Sequence, residues 1–103
     1  MIKNKPYWLL KASIAEEQGL AYLEQNRLSE SLQIFYSALS FYQIVQTPIG
    51  INTTKLHLAE VLFQQGKNEE ATKIYLQAKQ SIQQIQLEFL YSMLKTFEQH
   101  KII

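Results

Sequence analysis

Along the chain, apolar positions recur at steps of three and four, and nowhere do they alternate with polar ones over the length of a strand. Leu, Ala, Gln, Glu and Lys, all good helix formers, supply most of the sequence between breakers. Pro6 can take the first position of a helix capped by Asn4 or Lys5 and running to about Gln25. Asn26-Arg27-Leu28 forms the turn, and Ser29 opens a second helix to about Gln46. Thr47 caps a third, with Pro48 at its start and Gly66 as a left-handed stop. Asn68 then caps a fourth, with Glu69 and Glu70 in the first turn where the helix dipole favours acids. From Lys67 to Ile103 there is neither glycine nor proline. That stretch reads as two helices with a break near residues 84–88, or as one long helix. The fold class is all-α, with about five helices.

The chain also repeats itself. Displaced by 40 residues, LEQNRLSESLQIFYSAL falls on FQQGKNEEATKIYLQAK. Gln25, Glu30, Ile34 and Ala38 meet identical residues at 65, 70, 74 and 78. Arg27/Lys67, Ser31/Ala71 and Phe35/Tyr75 are conservative matches at corresponding points of a helix–turn–helix unit.

These positions resemble the tetratricopeptide family. Its pattern sets small and apolar residues on a first helix, then a turn, then a small residue followed four positions later by an aromatic. The first unit supplies Gly19, Tyr22, Asn26, Ser31, Phe35 and Ala38; the second supplies Ala59, Leu62, Gly66, Ala71, Tyr75 and Ala78. The period resembles that of the longer, 40-residue variant rather than the usual ~34. Gly50 fits the early glycine of that variant. Two departures stand out: Ala15 and Lys55 occupy the family's tryptophan position, and neither unit ends in the usual proline. The resemblance implies a right-handed α-solenoid forming a single domain. Its first repeat spans about 6–46, its second about 47–86, and a C-terminal helix follows at about 87–102.

Composition narrows the function. Ten Lys+Arg against nine Asp+Glu leave a formal net charge of +1, too little for a surface that binds nucleic acid through phosphates. No apolar run approaches the ~20 residues of a membrane span. Lys11 interrupts the apolar start, and Glu16-Glu17 follow where a leader would be cleaved, so a cytoplasmic location is expected. There is no cysteine and no aspartate. His57 and His100 therefore lack the partners of a nucleophilic triad, and the three glycines are too scattered to cradle a phosphate. His57 and Glu60 share a helical face, yet two ligands are too few for a tight metal site. Glu16 and Glu17 are adjacent, so they diverge by about 100° around a helix rather than form an acid–base pair. The expectation is a non-enzymatic module with neither cofactor nor metal.

In tetratricopeptide folds the first helices line the surface on which partner segments lie. The resemblance places Glu16, Glu17, Leu20, Leu23 and Glu24 there from the first unit, with Leu56, His57, Glu60 and Phe63 from the second. The family's lysine and asparagine clamp for a C-terminal carboxylate is missing. The corresponding positions hold Glu16, Leu20 and His57, which implies a basic or amphipathic protein segment as partner. The C-terminal helix carries two stripes, Phe89, Met93 and Phe97 beside Leu87, Leu90 and Leu94. Together they form an apolar arc wider than one packing face needs. Phe89, Leu90, Met93, Leu94 and Phe97 are thus expected to contact a partner or a second copy in a homodimer. A fused fourth and fifth helix would make that dimer a domain swap.

Overall fold

The computed structural model describes residues 4–85 and 88–102. Five helices follow one another: α1 (Lys5–Glu24), α2 (Leu28–Val45), α3 (Pro48–Gln64), α4 (Asn68–Ile85) and α5 (Glu88–Phe97). A single π turn, Glu98–Ile102, continues α5, and there is no strand among the described residues. Sequential neighbours pack together, and α5 folds back against both α3 and α4. The result is a short slab of 41 × 32 × 20 Å.

The two hairpin turns have the same backbone 40 residues apart. Asn26 (φ 59°) and Gly66 (φ 80°) both adopt the left-handed conformation. The Asn26 N–H donates to Leu23 O and the Arg27 N–H to Tyr22 O, at 3.0 and 2.9 Å. Gly66 and Lys67 repeat the pair onto Phe63 and Leu62 at the same distances. This is a Schellman end, in which a left-handed residue lets the chain turn back and satisfy the last helix carbonyls. Gln46 (φ 56°) closes α2 similarly, and the Thr47 hydroxyl then accepts from the Gly50 N–H at 3.5 Å to start α3.

Three capping expectations change. Asn4 occupies the cap position of α1 with a left-handed backbone (φ 59°) and makes no side-chain cap bond. α2 begins at Leu28 rather than Ser29, because the Schellman turn is complete at Arg27. The Arg27 guanidinium there reaches Glu30 at 2.8 Å. α4 includes Asn68, whose carbonyl accepts from the Thr72 hydroxyl at 2.7 Å, so Asn68 lies inside the helix rather than capping it.

The packing repeats as the turns do. Phe35 is fully buried between Gly19, where an added Cβ would lie 2.6 Å from its ring, and the imidazole of His57. The Phe35 and His57 rings stack with centroids 5.2 Å apart and an 18° interplanar angle. Forty residues on, Tyr75 stacks on Phe97 at 5.4 Å and 20°. Ser31 donates to the Gly19 carbonyl at 2.8 Å, tying α2 to α1. Ala38 and Ala78 are fully buried at equivalent places. The Tyr75–Phe97 stack also answers how the breaker-free stretch folds. In one continuous helix those residues would stand about 33 Å apart, so α4 and α5 are two helices that fold against each other.

Because Ala78 has no exposed surface, Ala78→Leu should overpack the second hairpin and cost about 1–3 kcal/mol in denaturant unfolding. Leu76→Ala, two residues away on the same helix but half-exposed, should change stability by no more than ~0.5 kcal/mol.

Candidate functional site: the groove along the first helices

α1, α3 and α5 are the first helices of successive units, and two adjoining cavities run between them. One, of about 530 Å³, lies between α1 and α3 and is lined by Leu20, Leu23, Glu24, His57, Glu60 and Gln64. The other, of about 390 Å³, lies between α3 and α5, where Leu56, His57 and Glu60 face Met93, Thr96 and Phe97. His57 and Glu60 belong to both, so the two cavities form one groove with its midpoint on α3. Ser92 and His100 complete the α5 wall. Neither was among the sequence-derived candidates, since extrapolation along the repeat gives no guide to a helix that ends in a π turn. Phe63 lines neither cavity; it is half-buried against the core, with its ring 6.0 Å from that of Phe97.

Glu16 has a different role from its neighbours. The Tyr42 hydroxyl donates to Glu16 Oε1 at 2.6 Å, and His57 Nε2 stands 3.5 Å from Oε2. One carboxylate thereby joins α1, α2 and α3, and its side chain is only 18% exposed. Burial pushes the Glu16 carboxyl up, but the hydrogen bonds of His57 and Tyr42, with the charge of His57, outweigh it and hold the group below its ordinary value. Burial and the same carboxylate push the Tyr42 phenol well above the usual range. Glu16 is committed to the fold rather than presented to a ligand. Sequence reading missed this because Tyr42 sits 26 residues away and reads as ordinary packing.

The other expected residues divide. Glu17 is exposed on α1 but does not line either cavity. Glu24 and Glu60 do, and Glu60 accepts from the Gln64 amide at 3.4 Å. On α5, Leu90, Leu94 and Phe97 are buried in a core with Tyr75, Ala78 and Ile82. Among the described residues of the wide apolar arc, Leu90 and Leu94 are therefore covered by the chain's own α3 and α4, while Phe97, mostly buried, shares the cavity wall with Met93. Met93 remains half-buried on the groove wall, where the Thr53 hydroxyl approaches its sulfur at 3.8 Å. Leu87 and the side chain of Phe89 lie outside the described residues. Glu98 holds the end of α5 down: it accepts from the Tyr75 hydroxyl and pairs with Lys79 at 3.0 Å. Those hydrogen bonds keep its carboxyl below the ordinary range.

Among the described residues no group of three or more His, Cys, Asp or Glu side chains gathers that could hold a metal ion. No helix among them is long and apolar enough to cross a membrane.

The Glu16 junction has a testable pH signature. A carboxyl with a lowered folded pKa adds stability in full above its unfolded value, near 4.5, and loses it as pH falls through the folded value. Glu16→Gln should therefore cost about 1 kcal/mol at neutral pH, and the difference from wild type should shrink below pH 4.5. Unfolding curves of both proteins from pH 7 to pH 3 measure it; a pH-independent difference would contradict the assignment.

Residues 53–85 match the family model of the tetratricopeptide repeat. No curated protein and no solved structure matches the chain significantly. The matched segment spans most of α3 and all of α4. The first unit carries the same Schellman turn, buried alanine and ring stack 40 residues earlier. Residues 53–85 are thus a tetratricopeptide repeat, a kind of repeat that typically serves as a protein–protein interaction module.

Proposed function

We propose that the chain is an adaptor that holds a segment of another protein in the groove along α1, α3 and α5. The observation that supports this most is the continuity of the two cavities through His57 and Glu60. Each alone is at the small end of the range for ligand sites, but end to end they suit an extended or helical segment crossing three helices. The walls offer Leu20, Leu23 and Met93 as apolar surface, Leu56 being buried, with Glu24 and Glu60 as the acids. Glu16 is spent within the fold, which leaves the groove less acidic than the sequence suggests. An amphipathic partner segment with a few basic residues matches these walls better than a highly charged one.

The charge component of such binding acts mostly on encounter and is screened over ~8–10 Å at physiological ionic strength. Affinity rests on apolar contact with Leu20, Leu23 and Met93. A library of amphipathic peptides, half with Lys/Arg and half with Asp/Glu on the polar face, tests the reading when titrated into isotopically labelled protein. Basic members should bind more tightly and shift the amides of Leu20, His57 and Met93. Met93→Glu should weaken binding about tenfold or more. Equal binding of acidic peptides, or shifts confined to the opposite face around Leu76, would contradict it.

A further inference from the structure

The repeat identifies an uncovered face. On α3, the side toward the preceding helix carries Gly50 beneath the Tyr42 ring, His57 beneath Phe35, and Leu58 and Val61 in the Phe35 cluster; Thr54 on the same helix is also fully buried. On α5, Leu90, Leu94 and Phe97 are buried with Tyr75, Ala78 and Ile82 of the preceding α4. Forty residues before those α3 positions stand Leu10, Glu17, Gln18 and Ala21 of α1, with Ile14 matching Thr54, and all five are exposed. Leu10 is 61% exposed and Ile14 49%, with Tyr7 at 52% one turn before them. The face that receives a helix twice inside the molecule is open on α1.

The spacing on this face is unlike that of the groove. Tyr7, Leu10, Ile14, Glu17 and Ala21 follow one another at steps of three, four, three and four. At 100° per residue they fall within an arc of about 80°, the narrow seam on which two helices pair, rather than a broad core-facing side. The internal contacts also give the direction of the incoming helix. Phe35 meets His57 while Tyr42 lies over Gly50, so the covering helix runs antiparallel.

We infer that this seam pairs with α1 of a second copy of the chain, antiparallel about a twofold axis near Leu10 and Ile14. In that register Leu10 meets Ile14 of the other copy, and Tyr7 meets its Glu17. The charges agree with this arrangement and oppose the parallel one. Lys11 Nζ stands 3.3 Å from the Tyr7 hydroxyl and 5.3 Å from the centre of its ring. Each Glu17 therefore approaches the other copy's Tyr7 hydroxyl and Lys11 ammonium. A parallel pair would instead set Glu17 against Glu17. The seam lies around α1 from Leu20 and Leu23, so both grooves remain open and the dimer is bivalent.

Sedimentation equilibrium of the full chain over a concentration series tests the inference, with circular dichroism confirming that each variant stays folded. The expected result is a monomer–dimer equilibrium. The Leu10→Glu, Ile14→Glu double variant should weaken it at least about a hundredfold, two buried apolar contacts being replaced by charges. Glu17→Lys should weaken it about fivefold, and adding Lys11→Glu should restore most of that loss. Leu10→Cys with Ile14→Cys should form disulfides between positions 10 and 14 of different copies. A monomer at the highest concentration, or a dimer indifferent to the Leu10→Glu, Ile14→Glu change, would overturn it. Disulfides joining like positions, 10 to 10 or 14 to 14, would overturn the antiparallel register.

Discussion

Each second helix in this molecule lays a buried aromatic ring on a ring of the first helix that follows it, and the remaining spacings are set around that contact. Phe35 rests on His57 and Tyr75 on Phe97, each pair close to parallel with centroids 5.2 and 5.4 Å apart. Such pairs contribute about 0.5–1.5 kcal/mol beyond the area they bury. Their larger effect is geometric, because a flat ring fixes both the separation and the relative rotation of the helices it touches. The demand reaches back into the hairpin. Phe35 can lie between α1 and α3 only because position 19 has no Cβ. The Schellman turns at Asn26 and Gly66 then bring each second helix back in the same direction.

A groove follows from this arrangement. Rings stacked between units keep α1, α3 and α5 in a row, so the side chains between the contacts line two joined cavities. Glu16 belongs to the scaffold of that surface: its two oxygens engage Tyr42 and His57, and His57 is also the imidazole under Phe35. A single histidine thus serves the ring stack, the carboxylate junction and the wall of both cavities. Substitution there would disturb packing and groove together, which makes His57 a poor position for separating binding from folding. Leu20, exposed at the α1 end of the groove, allows that separation.

The first four helices, their turn positions and the equivalence of the two units were legible in the sequence because each depends on local chemistry; whether the fourth helix ran on into a fifth was not. Asn26 and Gly66 tolerate left-handed backbone, Thr47-Pro48 starts a helix, and small residues recur at 38 and 78. The groove residues were legible only through register, and register cannot say which charges are spent internally. Glu16 looked like its neighbour Glu17 until Tyr42 and His57 were seen to meet it. The apolar breadth of α5 was legible too, but what covers it was not. A helix at this point of the chain can fold back on α3 and α4 or project away, and the local sequence favours neither. The face of α1 posed the opposite problem. Its seam is plain in the spacing of Tyr7, Leu10 and Ile14, yet its exposure is evident only beside the covered faces of α3 and α5.

The claim that the ring stacks set the spacing of the first helices is open to direct measurement. Spin labels at Glu24 and Thr96, on the groove walls formed by α1 and α5, report that spacing by pulsed dipolar spectroscopy, on samples dilute enough that the chain is monomeric. The account predicts one narrow distance distribution in the otherwise wild-type chain. It predicts a clear broadening when Phe35→Leu or Tyr75→Leu removes a stack, and no change with Leu76→Ala on the outer face of α4. Distributions as narrow in the Phe35→Leu and Tyr75→Leu chains as in the parent would contradict it.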